Sequence, residues 1–74
     1  MAGELPRASA RAIAAAVAAA IDQGEITPGA RLPSILRLSE AHAASAETAL
    51  RALRLLTEAG RAVHVAGKGW FAAG

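Results

Sequence analysis

The apolar pattern of this chain changes period at Gly60, and that change decides what kind of fold it can adopt. Before Gly60 the apolar residues recur at helical spacing; after it they alternate as in a strand. Ile13, Val17, Ala20 and Ile21 fall at i, i+4, i+7 and i+8, one stripe of an alanine-rich helix over Ser9 to Gln23 that Gly24 ends. Ala49, Ala52, Leu53 and Leu56 fall at i, i+3, i+4 and i+7 on a helix from Ala46 to Ala59, capped by Ser45 and stopped by Gly60. Between these two, Thr27-Pro28-Gly29 forms a turn, and Ser34 caps a shorter helix that runs through His42 or so. In it Leu38 and Ala41 face inward, Arg37 and Glu40 outward. Past Gly60, Val63 and Val65 point one way, Ala62 and His64 the other. Gly67-Lys68-Gly69 then makes a tight turn, and Trp70-Phe71-Ala72 supplies a returning strand. The predicted order is three helices and a two-stranded hairpin, an α+β fold that is mainly α.

Seventy-four residues make one domain, with residues 1–8 read as an N-terminal leader and 9–74 as the folded unit. The hydrophobic fraction of 54% overstates the core, because most of it is alanine, which favours helix and buries little area. The larger core candidates are Ile13, Val17, Ile21, Ile26, Leu32, Leu38, Leu53, Leu56, Val63, Val65 and Phe71. A core this small leaves a thin stability margin and makes dimerisation an expectation. With no cysteine there is neither a disulfide scaffold nor a thiolate zinc site, which accords with a reducing compartment, the cytoplasm by default. The uncharged run from Ala12 to Ile21 is too short to cross a bilayer, which takes about 20 residues, so no membrane association is expected. A signal peptide there would remove a third of the chain and leave no sensible core.

Catalysis has no support in the sequence. There is no paired-carboxylate motif, no nucleophile with a plausible base, and no phosphate loop between strand and helix, since Gly67-Lys68-Gly69 joins two strands. His42 and His64 are far apart and lack Cys, Asp or Glu neighbours suited to a metal. The chain reads as a non-enzyme with no cofactor. Its net charge of +2, with seven arginines among eight basic residues, permits nucleic-acid binding without demanding it.

The second and third helices are joined by only Ala43-Ala44-Ser45, and a glycine-cornered basic hairpin follows them. In such a pair the first helix can brace against a nucleic-acid backbone while the second enters the major groove, about 12 Å wide. The string Gly24-Glu25-Ile26-Thr27-Pro28-Gly29-Ala30-Arg31-Leu32-Pro33-Ser34 resembles the signature of the GntR family's DNA-binding domain. Ile13, Val17, Ile21, Leu38, Ser45, Thr48, Ala52-Leu53, Leu56, Gly60, Gly67-Lys68-Gly69 and Phe71 keep that family's register, so the resemblance runs from about Ser9 to Ala72. It implies a winged helix-turn-helix regulator of bacterial, phage or plasmid origin, a repressor in the first instance. Such a regulator binds palindromic double-stranded DNA as a homodimer, its third helix reading bases and its wing on the backbone. Most relatives carry a C-terminal effector domain; this chain stops at Gly74, so it is expected to act alone or to be a fragment.

The residues expected to face DNA are Arg31, Ser34, Arg37, Ser45, Ala46, Glu47, Thr48, Leu50, Arg51, Arg54, His64, Gly67, Lys68 and Gly69. Each also has a plainer role. The serines and Thr48 are caps or first-turn residues first. Glu47 and Arg51 form an i, i+4 pair on a solvated helix, and Arg31, Arg37, Lys68 and His64 are ordinary exposed side chains. The pattern departs from the family where relatives place arginines, at Leu36, Ala46 and Leu50, which cannot make bidentate guanine or phosphate contacts. Ala46 and Leu50 can touch thymine methyl groups, or else form a patch for a protein partner, the main rival to DNA. Trp70 stands in place of a small polar residue and is read as a packing or dimer-contact residue. Arg61 replaces an apolar one, so the packing of the hairpin is expected to differ.

Overall fold

Serines start all three helices. The computed structural model describes residues 8–74, so the expected leader lies, but for Ala8, outside the described residues. Helices α1 (Ala10–Asp22), α2 (Ile35–Ala41) and α3 (Ala46–Glu58) follow Ser9, Ser34 and Ser45. Each serine Oγ accepts from the backbone N–H three residues on, of Ala12, Arg37 and Thr48, at 3.0, 3.1 and 3.1 Å. One otherwise orphaned amide per helix is thereby satisfied, worth about 1 kcal/mol each. The caps on α2 and α3 are those expected; Ser9 adds a third.

All three helices also end alike. At α1 the Gly24 N–H donates to the Ile21 carbonyl at 3.1 Å and the Glu25 N–H to Ala20 at 2.9 Å. At α3, Gly60 donates to Thr57 at 3.0 Å and Arg61 to Leu56 at 2.8 Å. This paired pattern needs a left-handed residue just past the helix, and Gly24 and Gly60 supply it at φ +82° and +76°. At α2 the Ala44 N–H reaches the Ser39 carbonyl at 2.9 Å, but the left-handed residue is Ala43, at φ +51°. An alanine carries a steric cost there that glycine does not.

Helix α3 is the centre of the domain: α1, α2 and the first strand all pack on it. Its Ala49, Ala52 and Leu53 are fully buried, opposite Ile13, Ala14 and Val17 of α1 and Leu38 of α2 in one core cluster. Six of the twelve buried hydrophobic residues described are alanines: Ala10, Ala14, Ala49, Ala52, Ala62 and Ala72. Ile21 and Ile26 close the edge of the core, partly buried. Ala41, expected to face inward, is exposed. It lines an open groove between α1 and α2, and in two helical turns only Leu38 reaches the core.

Strands β1 (Ala62–Val65) and β2 (Gly69–Ala72) pair antiparallel, Ala62 opposite Ala72, Val63 opposite Phe71, His64 opposite Trp70 and Val65 opposite Gly69. The alternation is as expected, but its faces are reversed. Ala62 and Ala72 are buried against the helices, while Val63 and Val65 stand 50% and 39% exposed and Phe71 is only half-buried. Period-two alternation does not say which face is covered. The chain's exit from α3 decides it: after the left-handed Gly60, the Arg61 side chain bonds Asp22 at the end of α1, and Ala62 is the next residue turned inward.

A third chain segment completes the sheet. Beyond the turn at Pro28-Gly29, Gly29 donates to the Ala72 carbonyl (2.9 Å), Ala72 to Ala30 (2.8 Å) and Leu32 to Trp70 (2.8 Å), and Arg31 bridges Phe71. The segment has one residue in bridge geometry before Pro33, too short to show alternation, so the sequence gives no strand signal there. No helix among the described residues is long and apolar enough to cross a membrane.

Replacing Ala43 by glycine removes the left-handed cost and adds a smaller entropic one. Ala43→Gly is expected to stabilise the domain by roughly 0.5–1 kcal/mol, seen as a rise of a few degrees in Tm by circular dichroism.

Candidate nucleic-acid interface

With one side of α3 packed into the core, its exposed arc carries Ala46, Glu47, Arg51, Arg54 and Glu58. The hairpin sits beside this arc. Leu50, Arg54, Thr57 and Glu58 of α3 share a cleft of about 390 Å³ with His64 and Trp70 of the hairpin. The His64 and Trp70 rings stack across the strand pair, 4.3 Å between centroids at 29°, the offset geometry aromatic pairs favour. This stack lies on the helix-facing side of the sheet and sets the hairpin against α3.

The hairpin tip is built for close approach by the main chain. The Lys68 N–H donates to the Val65 carbonyl at 2.9 Å, closing a turn whose third residue, Gly67, has φ +78°. Lys68 is exposed beside it. At Gly69, φ +117°, a Cβ would sit 3.3 Å from the guanidinium of Arg31. The two observations together place Arg31 along the base of the wing, held there by its own bridge to Phe71.

The first turn of α3 is locally engaged. Ser45 Oγ accepts from the Thr48 N–H and donates its own proton to Thr48 Oγ1 at 3.0 Å. Glu47 and Arg51 approach to 4.0 Å, with side chains 83% and 65% exposed. A pair so open contributes a few tenths of a kcal/mol, so it coexists with Arg51 swinging to another partner.

The expected site residues thus fall into three groups. Leu50, Arg54 and His64 meet in the cleft; Gly67, Lys68, Gly69 and Arg31 form the wing and its base; Ser45, Ala46, Glu47, Thr48 and Arg51 occupy the first two turns of α3. Ser34 and Arg37 stand apart, at the start of α2, on the rim of the groove between α1 and α2 that Arg31 also lines. Leu36, beside them, is 64% exposed. The sequence reading missed Thr57 and Glu58 as cleft residues and the Arg61–Asp22 tie, both of which join elements distant in sequence. Trp70 is a packing residue, as one of its two readings held. Among the described residues no group of three or more His, Asp or Glu is arranged to hold a metal.

Two helices joined by a short turn, the second lying beside a hairpin and packed on a third helix, define a winged helix-turn-helix domain. The family model for bacterial regulatory proteins of the gntR family matches residues 9–72, and the chain belongs to that family. The match bears out the resemblance carried by Gly24 to Ser34 and by the register that follows it. The fold is similar to that of AraR(DBD) in complex with operator ORX1, at 27% identity and TM-score 0.83 over 95% of this chain and 82% of that one. It is similar also to YtrA from Sulfolobus acidocaldarius, a GntR-family transcription factor, at 28% identity and TM-score 0.79 over 88% and 68%. A transcriptional regulator from Oenococcus oeni has the same fold at 19% identity and TM-score 0.82; this chain is covered in full and spans 62% of that one. No curated protein matches the sequence. The domain is one of a family of non-enzymatic DNA-binding regulators.

Trp70→Thr removes the ring stack but leaves the backbone ladder. It is expected to cost about 0.5–1.5 kcal/mol for the stack, with the burial of the indole lost in addition, read by thermal melting, while hairpin amides retain their cross-strand contacts in NMR spectra.

Proposed function

We propose that the domain binds double-stranded DNA sequence-specifically as a small cytoplasmic transcription regulator, a repressor, acting as a homodimer on a palindromic site. The first turns of α3 enter the major groove, and the Ala66 to Gly69 wing grips the flanking backbone. The observation that carries this reading is the shared surface of α3 and the hairpin. Five basic side chains, Arg31, Arg37, Arg51, Arg54 and Lys68, are exposed on the helix-turn-helix and wing, against Glu40 on α2 and Glu47 and Glu58 on α3. The similarity to AraR(DBD) bound to its operator supports the same reading. Phosphates meet Arg31, Arg37 and Lys68, with the Ser34 and Ser45 hydroxyls as secondary donors. Gly67 and Gly69 bring the main chain near them, and His64 approaches from the wing strand.

A second reading rests on Leu36, which is 64% exposed where relatives place an arginine, together with the apolar Ala46 and Leu50. An apolar, weakly charged surface suits a protein partner, and a fold can outlive its ligand.

Affinity for duplex DNA across a salt series separates the two. Each phosphate neutralised adds about −0.9 to the slope of log K against log salt, so three contacts from each protomer of the homodimer give a slope of about −5. Lys68→Ala removes one contact from each protomer; it is expected to reduce that slope by about 2 and to weaken all sequences alike. A flat slope, or no duplex affinity at low ionic strength, contradicts DNA binding and leaves the protein-partner reading.

A further inference from the structure

The flank of α3 that shares its cleft with the wing carries no hydrogen-bonding side chain in the first two turns. At 3.6 residues per turn, Ala46, Leu50 and Thr57 lie within about 40° of one another on that flank. Ala46 is exposed, and Leu50 is half-buried and lines the cleft with His64 and Trp70 of the hairpin. The polar groups of the same two turns are directed elsewhere. Ser45 and Thr48 hold each other, and Glu47 and Arg51 lie farther round the helix, facing one another at 4.0 Å. The His64–Trp70 stack lines the same cleft as Leu50, together with Arg54, Thr57 and Glu58.

The geometry points to a domain that reads its site through the C5-methyl groups of thymine, with Ala46 and Leu50 as the reading side chains. This rests on the DNA-binding function proposed above and deepens it by naming the chemistry of the bases recognised. The thymine methyl is the one apolar group that a base pair presents in the major groove, and alanine-like side chains contact it favourably. Guanine offers N7 and O6 acceptors, which need a donor at positions 46 or 50; alanine and leucine supply none. Leu50, partly buried in the cleft it shares with Trp70, has less freedom to lose than an exposed leucine when a methyl group docks on it. Arg54, at the far side of the cleft, and Lys68, on the wing, are left to hold phosphates. The preferred half-site therefore carries thymines where the start of α3 enters the groove, and guanine content there is unimportant.

The test leaves the protein unaltered and edits the DNA. The full chain is used to select a preferred duplex from a random pool at low salt. Each thymine of the selected site is then replaced in turn by deoxyuridine, which removes only the C5-methyl, and each guanine by its 7-deaza analogue, which removes the N7 acceptor. One or two thymines per half-site are expected to lose about fourfold in affinity on conversion to deoxyuridine, the equivalent of one buried methyl. Deaza-guanine is expected to change nothing, and 5-methylcytosine in place of cytosine elsewhere serves as a control for methyl effects on duplex stiffness. Leu50→Ala, with its fold checked by circular dichroism, is expected to abolish the deoxyuridine effect at one position while retaining salt-dependent binding.

Tight, salt-sensitive binding that is indifferent to deoxyuridine but weakened by deaza-guanine overturns methyl readout and leaves DNA binding standing. Absence of any selected duplex and of any salt-dependent affinity overturns both, and gives Ala46 and Leu50 to a protein partner.

Discussion

Close packing of α1 against α3 through small side chains, with Leu38 of α2 entering the same core, holds the rest of the molecule in place. Ala49 and Ala52 are fully buried on α3, flanked by Leu53 and Leu56, and alanine again meets them from α1 at positions 10 and 14. Alanine removes little apolar area from water, so this core gains stability through near approach and dense contact more than through area. A larger side chain at either position would wedge the helices apart, at a cost of about 1–3 kcal/mol. With α3 fixed on its inner side, its outward arc has one orientation, and the hairpin is seated on it by Ala62, Ala72 and Trp70. The interface is therefore a consequence of the core: the same helix that organises the domain presents its free side beside the wing.

The surface that results is almost neutral along α3 and basic on the wing and its base. Glu47 faces Arg51 at 4.0 Å, and Glu58 shares the cleft with Arg54. Arg31 and Lys68 have no carboxylate partner among the described ion pairs. Attraction to a polyanion on this domain is accordingly concentrated at the hairpin, where glycines at 67 and 69 let the main chain approach. In the proposed DNA-binding function, such a division gives affinity to the wing and selectivity to the helix.

Much of this was legible in the sequence because the signals are local. A serine oxygen can cap only the helix that follows it, and a left-handed glycine ends only the helix before it, so Ser34, Ser45, Gly24 and Gly60 place the helices to within a residue or so. The hairpin turn lies one residue earlier than the expected Gly67-Lys68-Gly69, closed by the Lys68 N–H on the Val65 carbonyl, so Gly69 already belongs to β2 and His64 comes to face Trp70. What the sequence did not reveal depends on neighbours remote in the chain. Val63, Val65 and Phe71 are the bulkier residues of the hairpin and were natural core candidates. The path out of α3 instead turns Ala62 and Ala72 inward. The strand at Arg31 exists only because β2 lies beside it, and the strained φ of Ala43 is imposed by the closure of the helix pair. The flank of α3 beside the wing was visible as missing arginines, but the ring stack that lines its cleft was not.

The most direct test of this shared surface is a titration of the ¹⁵N-labelled chain with duplex DNA, followed by backbone and indole shifts. The largest changes are expected at residues 45–51 of α3, at 66–69 of the wing and at the Trp70 indole, with Ala16, Val17 and Ala20 in the groove between α1 and α2 unmoved. Changes confined to that groove, or none at all, would contradict the assignment of α3 and the wing as the interface.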